Sequence, residues 1–335
     1  MQTIVKGINN CITDIEGIKV GHYTDLDSAT GCTVIMCEDG AVGGVATLGS
    51  FPGSRETTML STTSVDSVVH SILLTGGSIF GLDAATGIVK WLEEHKKGLR
   101  IGRIFIPRVP AAVIFDLGYV TQKVRPSANN GYTACENANN YPSLQGTVGA
   151  GTGGTVGKLT SVDRAMKGGF GTASVELGDG LIVGAAIVTN SVGGIYDPNS
   201  SKPIAGPIAD DGSIIDSMEY ITSNDYTPPN WISGTNTTIG VVATNGILTT
   251  AEANKLAMVA HDGLAISVRP SHMQFDGDTL FAIGTGTSET PIEMSRMCAA
   301  VAHCVAEATV NSVIEATSLA GIYAIRDLEQ KSRHF

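Results

Sequence analysis

Short runs of apolar residues, some alternating with polar ones and some continuous, recur along the chain and are closed by glycines and other turn formers. On this pattern strands are predicted at Ile18 to Val20, Thr33 to Cys37, Val42 to Ala46, Gly102 to Ile106, Leu181 to Thr189, Ile239 to Thr244 and Leu280 to Ile283. Elsewhere the spacing turns helical. Ser78 to His95 carries apolar residues at helical intervals and ends in Glu-Glu-His-Lys-Lys. Thr249-Thr250-Ala251-Glu252 reads as a capping box opening a helix through about Ser267, with Leu256, Val259, Ala260 and Leu264 on one face. An alanine-rich helix follows from about Pro291 to Thr317. Strands interleaved with a few long helices predict two sheets with helices packed outside them. Apolar residues thread the whole length, so a single domain spanning 1–335 is expected. Pro, Asn, Ser, Asp and Gly concentrate between Asp197 and Pro229, which predicts a long surface excursion.

Composition narrows the partners. The 335 residues are 42% hydrophobic and 16% charged, enough to bury a large core. The formal net charge of -11, without a block of lysines or arginines, argues against nucleic acid. The longest apolar runs, such as Leu181 to Val188, are far shorter than the roughly 20 residues of a membrane span, so no membrane partner is expected. Cysteines 11, 32, 37, 135, 298 and 304 form no C-x-x-C pair and no zinc spacing with histidine. No metal or other cofactor is expected. The first ten residues lack a signal-type apolar stretch, which together with scattered thiols points to a reducing cytoplasm.

Three segments carry candidate chemistry. In Gly234 to Asn245, Thr237 follows Asn236 at the mouth of a buried strand. A threonine hydroxyl needs a base, and cutting the chain just before it would free an α-amine titrating near about 7.7 to 8.0. Asn236-Thr237 is therefore a candidate self-cleavage site. Asn236-Thr237-Thr238 is also a glycosylation triplet, and the threonines also suit a plain strand. The second segment, Gly146 to Gly171, fails as a Walker loop: Thr152 stands where glycine is required and Leu159 where Ser or Thr is. Its Gly149, Gly151 and Gly154 fit G-x-G-x-x-G, but glycines continue where a dinucleotide fold needs a helix. The remaining reading is bare backbone at Gly151 and Gly153 approaching a small ligand, with Lys158 as the charged group. The third segment is Asp276-Gly277-Asp278, whose carboxylates share a face if extended; one would orient the threonine while the other holds the first in place. Close carboxylates repel, so one is expected to hold a proton. The alternative is an Asp-Gly turn.

These segments resemble the self-processing L-aminopeptidase/D-esterase family, which includes β-peptidyl aminopeptidases and nylon-oligomer hydrolases. The resemblance starts at Ile12 to His22 and runs through Thr30-Gly31-Cys32-Thr33-Val34, Gly76 to Leu82, Gly149 to Lys158, Lys167 to Ser174, Val183 to Val192, Asn236-Thr237-Thr238 and Asp276-Gly277-Asp278. It implies an α+β, four-layer αββα sandwich of the N-terminal-nucleophile-hydrolase type. It also implies self-cleavage into 1–236 and 237–335, and a homo-oligomer of the processed units. Carried to matching positions, Thr237 is the nucleophile, Asp276 and Asp278 its supporting carboxylates, Lys158 the charge beside it and Asn190 the oxyanion donor. The implied function is an amide hydrolase or aminopeptidase acting on small peptides, amides or esters. Two departures qualify this: aminopeptidase members often have serine as nucleophile and Ser-x-Glu where Asp276-x-Asp278 stands, and the nylon-hydrolase branch has a tyrosine at Phe115, placed here among the substrate contacts. The alternatives are acyl transfer of the ornithine acetyltransferase type, whose characteristic sequence around the threonine is missing, and a non-catalytic small-molecule binding protein.

Overall fold

Alternation along the strands sets the layering of the computed structural model, which describes residues 4–228 and 235–328. The principal strands are β1 (Lys19–Asp25), β2 (Thr30–Thr47), β3 (Val68–Thr75), β4 (Ala111–Val113), β5 (Phe170–Glu176), β6 (Ile182–Asn190), β7 (Thr237–Thr244) and β8 (Thr279–Gly284). β2 belongs to both halves of the fold. Its beginning pairs with β1 and β3, its end pairs with β8, and the register against β3 shifts between Met36 and Ala41. From there the order runs β8, β7, β6, β5, with β7 and β8 parallel and the other neighbours antiparallel.

Successive residues of each strand serve different layers, as the period of two requires. Ile35, Ile72 and Leu74 meet Val188, Ile239, Val241, Phe281 and Ile283 in a core between the two halves of the sheet. The alternate residues Cys32, Val34, Met36 and Leu73 pack against helices α1 (Ala84–Glu94) and α2 (Ala128–Glu136). On the opposite side Val183, Ala185, Ile187, Leu280 and Ala282 pack against α3 (Thr250–Ser267) and α4 (Met294–Ile314). The result is the α+β, four-layer αββα sandwich expected from the sequence. α4 is long and apolar enough to cross a membrane by length and composition, but its Met297, Val301, Cys304, Val305 and Ala308 are committed to the sheet core.

The predicted capping box is present: Glu252 N–H donates to Thr249 Oγ1 at 3.3 Å and Thr249 N–H to Glu252 Oε2 at 2.8 Å. Three predicted elements differ. The expected helix from Ser78 begins as a 3-10 turn through Asp83, because Gly77 and Ser78 both have positive φ and the α-helix proper starts at Ala84. Gly102 does not open a strand; with φ +62° it turns a hairpin between Leu99–Ile101 and Ile104–Ile106. The polar excursion is partly ordered by the strand Pro203–Ala205 and the helix Ser217–Thr222, which Asp216 caps. Its end at Pro229, and Gly234, lie outside the described residues.

α1 and α2 approach until their backbones touch. A Cβ on Gly87 would lie 1.7 Å from the Ala128 carbonyl oxygen, and one on Gly131 would lie 2.0 Å from that of Ala84. In an open helix, alanine would gain about 1 kcal/mol over glycine. Here no rotamer relieves a clash with backbone, so Gly87→Ala or Gly131→Ala is expected to destabilise by about 1 to 3 kcal/mol. Denaturant unfolding of the single variants checks this, and a raised midpoint would show that the helices separate freely.

Candidate active site

The site is assembled at the end of β7. In the strand register Thr237 stands opposite Asn190 of β6, and on the other side Asn236 forms a parallel bridge with Asp276 just before β8. Three segments far apart in sequence thus meet around the Asn236-Thr237 peptide. Its carbonyl oxygen accepts the Gly277 N–H at 3.0 Å and the Thr237 hydroxyl at 2.5 Å. Gly277 has to be bare for this, since a Cβ there would lie 2.9 Å from Thr237 Oγ1 and 2.7 Å from the Phe51 carbonyl oxygen. Thr237 is 4% exposed and Asn236 1%, so Asn236 offers no accessible glycosylation acceptor.

Lys158 and Asn190 close one side. The buried Lys158 ammonium donates to Asn190 Oδ1 at 2.8 Å, to the Asn190 carbonyl at 2.9 Å and to the Thr235 carbonyl at 3.5 Å. Burial pulls its pKa down to about 7; the Asp276 charge opposes this and Lys167 reinforces it. Asn190 Nδ2 donates to the carbonyls of Thr235 at 3.1 Å and Phe115 at 3.2 Å. The expected oxyanion donor therefore sits one carbonyl upstream of the Asn236-Thr237 bond, whose oxygen is held instead by the Gly277 amide.

The two carboxylates close the other side, both 2% exposed. Asp278 accepts Thr238 N–H at 2.7 Å on Oδ1 and, on Oδ2, His272 N–H at 3.1 Å and His272 Nδ1 at 2.8 Å. Asp276 accepts Met273 N–H at 2.8 Å on Oδ2, while its Oδ1 is buried without a partner among the described residues. Burial first, and the neighbouring Asp278 charge second, push Asp276 up to about 7, against the pull of Met273 N–H, Lys158 and His272. One carboxyl of the pair thus carries the raised affinity for a proton that the sequence suggested. They do not hold each other: each is anchored by its own backbone amides.

The expectation at Gly151 and Gly153 needs correcting. Gly151 and Gly153 do not offer bare backbone to a ligand, because the chain itself fills the space. A Cβ at Gly151 would lie 2.2 Å from Phe170 N, and one at Gly153 would lie 2.3 Å from the Ala29 carbonyl oxygen. Phe115 enters the site through its carbonyl, on Asn190, and its ring is half-buried.

Some groups escaped the sequence reading. His272 is one. Lys167 is another: buried in the glycine segment, it donates to the carbonyls of Gly154 at 2.7 Å, Gly168 at 3.2 Å and Gly151 at 3.4 Å. Burial lowers its pKa to about 7, with Asp116 opposing. Asp116, raised to about 6 by burial, accepts Thr30 Oγ1 and Gly77 N–H, both at 2.7 Å. The signal for Lys167 was present in Lys167-Gly168-Gly169, a lysine inside a glycine run with carbonyls to spare; nothing local marks Asp116 or His272.

The profile of peptidase family S58 matches residues 10–325. An uncharacterised aminopeptidase of Mycobacterium leprae is 40% identical over 93% of this chain and 92% of its own. A 6-aminohexanoate-oligomer endohydrolase of Paenarthrobacter ureafaciens is 31% identical over 83% of this chain and 76% of its own. Among solved structures, the L-aminopeptidase D-Ala-esterase/amidase of Ochrobactrum anthropi, described as a variant of the Ntn-hydrolase fold, superposes with a TM-score of 0.69 at 21% identity, covering 94% of this chain and 89% of that one. The sandwich and the chain-wide likeness together place this protein in peptidase family S58, as an amide-bond hydrolase of the aminopeptidase type.

Proposed function

We propose that the protein cuts itself between Asn236 and Thr237 and then uses Thr237 as an N-terminal nucleophile on small peptides, amides or esters. The observation that carries this reading is the Asn236 carbonyl, whose oxygen receives a backbone N–H from Gly277 and the Thr237 hydroxyl at 2.5 Å, which sets that hydroxyl beside the peptide it would attack. In the first act Thr237 Oγ bonds to the Asn236 carbonyl carbon. Asp276 takes the hydroxyl proton, the Gly277 amide stabilises the oxygen as charge develops, and the Lys158 ammonium supports that charge. The C–N bond breaks, the Thr237 amine leaves with a proton, and water hydrolyses the remaining ester. In the second act the freed amine is the base, the same hydroxyl attacks the substrate carbonyl, and water resolves the acyl-enzyme. Departure of Thr235-Asn236 would leave Asn190 Nδ2 and Gly277 N–H free to bind the substrate's carbonyls.

Freshly purified protein is expected to give two denatured masses, matching 1–236 and 237–335, and Thr237→Ala a single intact mass with no hydrolysis of amino-acid amides or p-nitroanilides. A cut and active alanine variant would sink the assignment. The pH profile is a second test. Asp276 acts as a carboxylate, so processing rises as pH climbs through about 7; Lys158 acts as an ammonium, so processing falls as it loses its proton, also around 7. The profile should be a narrow bell whose apparent limbs belong to the coupled cluster. Lys158→Met should slow processing and remove the alkaline limb, and an unchanged rate and profile in that variant would exclude Lys158 from the chemistry.

A further inference from the structure

Asp278 joins the nucleophile's strand to a histidine that the mechanism above does not use. Its Oδ1 holds the Thr238 amide at 2.7 Å, directly after Thr237, while its Oδ2 takes both the backbone N–H and Nδ1 of His272, at 3.1 and 2.8 Å. His272 adopts φ +55°, a left-handed conformation that is strained for a residue other than glycine. In that conformation two donors of one residue meet one carboxylate oxygen, which is the kind of constraint that gathers at functional sites. Because Nδ1 donates to Asp278, it carries the hydrogen of the neutral ring, and Nε2 is the nitrogen that titrates.

The surroundings of the ring are closed. Nε2 is buried without a well-aligned hydrogen bond among the described residues, and the ring stands edge-on to His261 of α3, with centroids 4.8 Å apart. His261 Nε2 lies 3.0 Å from the Ala46 carbonyl, and burial lowers the pKa of that ring. The groups facing His272 are thus Asp278 and Asp276 from the segment before β8, and the His261 ring and backbone carbonyl from α3. Burial alone would depress His272, but the hydrogen bond and charge of Asp278, the His261 carbonyl and Asp276 outweigh it and raise its pKa.

We infer that His272 is a positioning residue: its two hydrogen bonds lock Asp278 onto the Thr238 amide as a fixed acceptor, leaving Asp276 as the carboxylate of the pair that exchanges a proton with the nucleophile. This rests on the reading of Thr237 as nucleophile, and the contact itself can be tested without it. In ¹⁵N-histidine-labelled full-length protein, His272 should be the Nδ1-protonated tautomer when neutral and titrate above a free imidazole. Its midpoint should fall by about half a unit or more in Asp278→Asn. A ring that prefers the other tautomer, or titrates identically in both proteins, overturns the inference whatever the activity does.

Kinetics supply the second readout. His272→Ala should lower kcat for alanine p-nitroanilide about 10-fold to 100-fold with KM little changed. It should also move the acidic limb of the processing profile to higher pH, because a carboxylate pair that has lost its cationic neighbour ionises less readily. His272→Asn keeps a donor and tolerates left-handed backbone, so it should recover most of kcat. Equal losses in both variants without a shift of the limb would mean that the ring only packs, and would overturn the assignment. If the wild type stays uncut and inert, the proposed function fails, while the nitrogen measurement still decides the contact.

Discussion

The parallel pairing of β7 with β8 is the constraint on which the site depends. Antiparallel neighbours on a hairpin bring together residues close in sequence, whereas a parallel pair needs a crossover, supplied here by α3. That crossover sets the starts of β7 and β8 side by side, so Asn236-Thr237 and Asp276-Gly277-Asp278 lie at the same end of the sheet. β6, antiparallel to β7, ends at that place and delivers Asn190 opposite Thr237. A one-residue slip of β7 would turn Thr237 to the other face and exchange Ile239 and Val241 of the central core with Val242 of the outer one. The large apolar contacts of the sandwich therefore hold the register that the small polar groups need.

Holding charges in such a place is costly, and the molecule offsets the cost locally. An uncompensated charge in the interior costs about 3 to 5 kcal/mol when its partner is removed. Lys158 is met by two oxygens of Asn190 and the field of Asp276, and Lys167 by three carbonyls of the glycine segment and the field of Asp116. This explains the glycines without a ligand. Carbonyls can gather around an ammonium only where the chain folds tightly on itself, and Gly151, Gly153 and Gly168 each press against backbone with no room for a Cβ. The segment holds Lys167 on its own carbonyls and delivers Lys158 to Asn190 and to the Thr235 carbonyl, one peptide before the Asn236-Thr237 bond.

What could be read from the sequence follows the range of the interactions involved. Strands, the capping box at Thr249 and the face of α3 depend on neighbours a few residues apart, so their residues announce them. Thr237 and the Asp276-Asp278 pair were legible for a similar reason, each being a short chemical pattern at the mouth of a strand. The resemblance to a family supplied Lys158 and Asn190. What stayed hidden depends on distant partners: Asp116 matters through Lys167 and Thr30, and His272 through Asp278 and His261. The error at Gly151 and Gly153 has the same root. Glycine signals close approach of backbone to something, and local sequence does not say whether that is ligand or chain.

The continuous chain also bears on how one site would serve the two proposed reactions. Thr237 is almost fully covered while residues 235 and 236 continue its strand, so no external amide reaches its hydroxyl in this state. What fills the proposed substrate place is the chain itself: the Asn236 carbonyl on the Gly277 amide, and the Thr235 carbonyl shared between Asn190 and Lys158. Under the proposed cleavage those donors lose their acceptors together, in a pocket where an unmet buried donor costs about 1 to 3 kcal/mol. A peptide-like substrate presenting two carbonyls at the same spacing would restore both sets of bonds. The precursor's own strand would then be the template for what the mature enzyme binds.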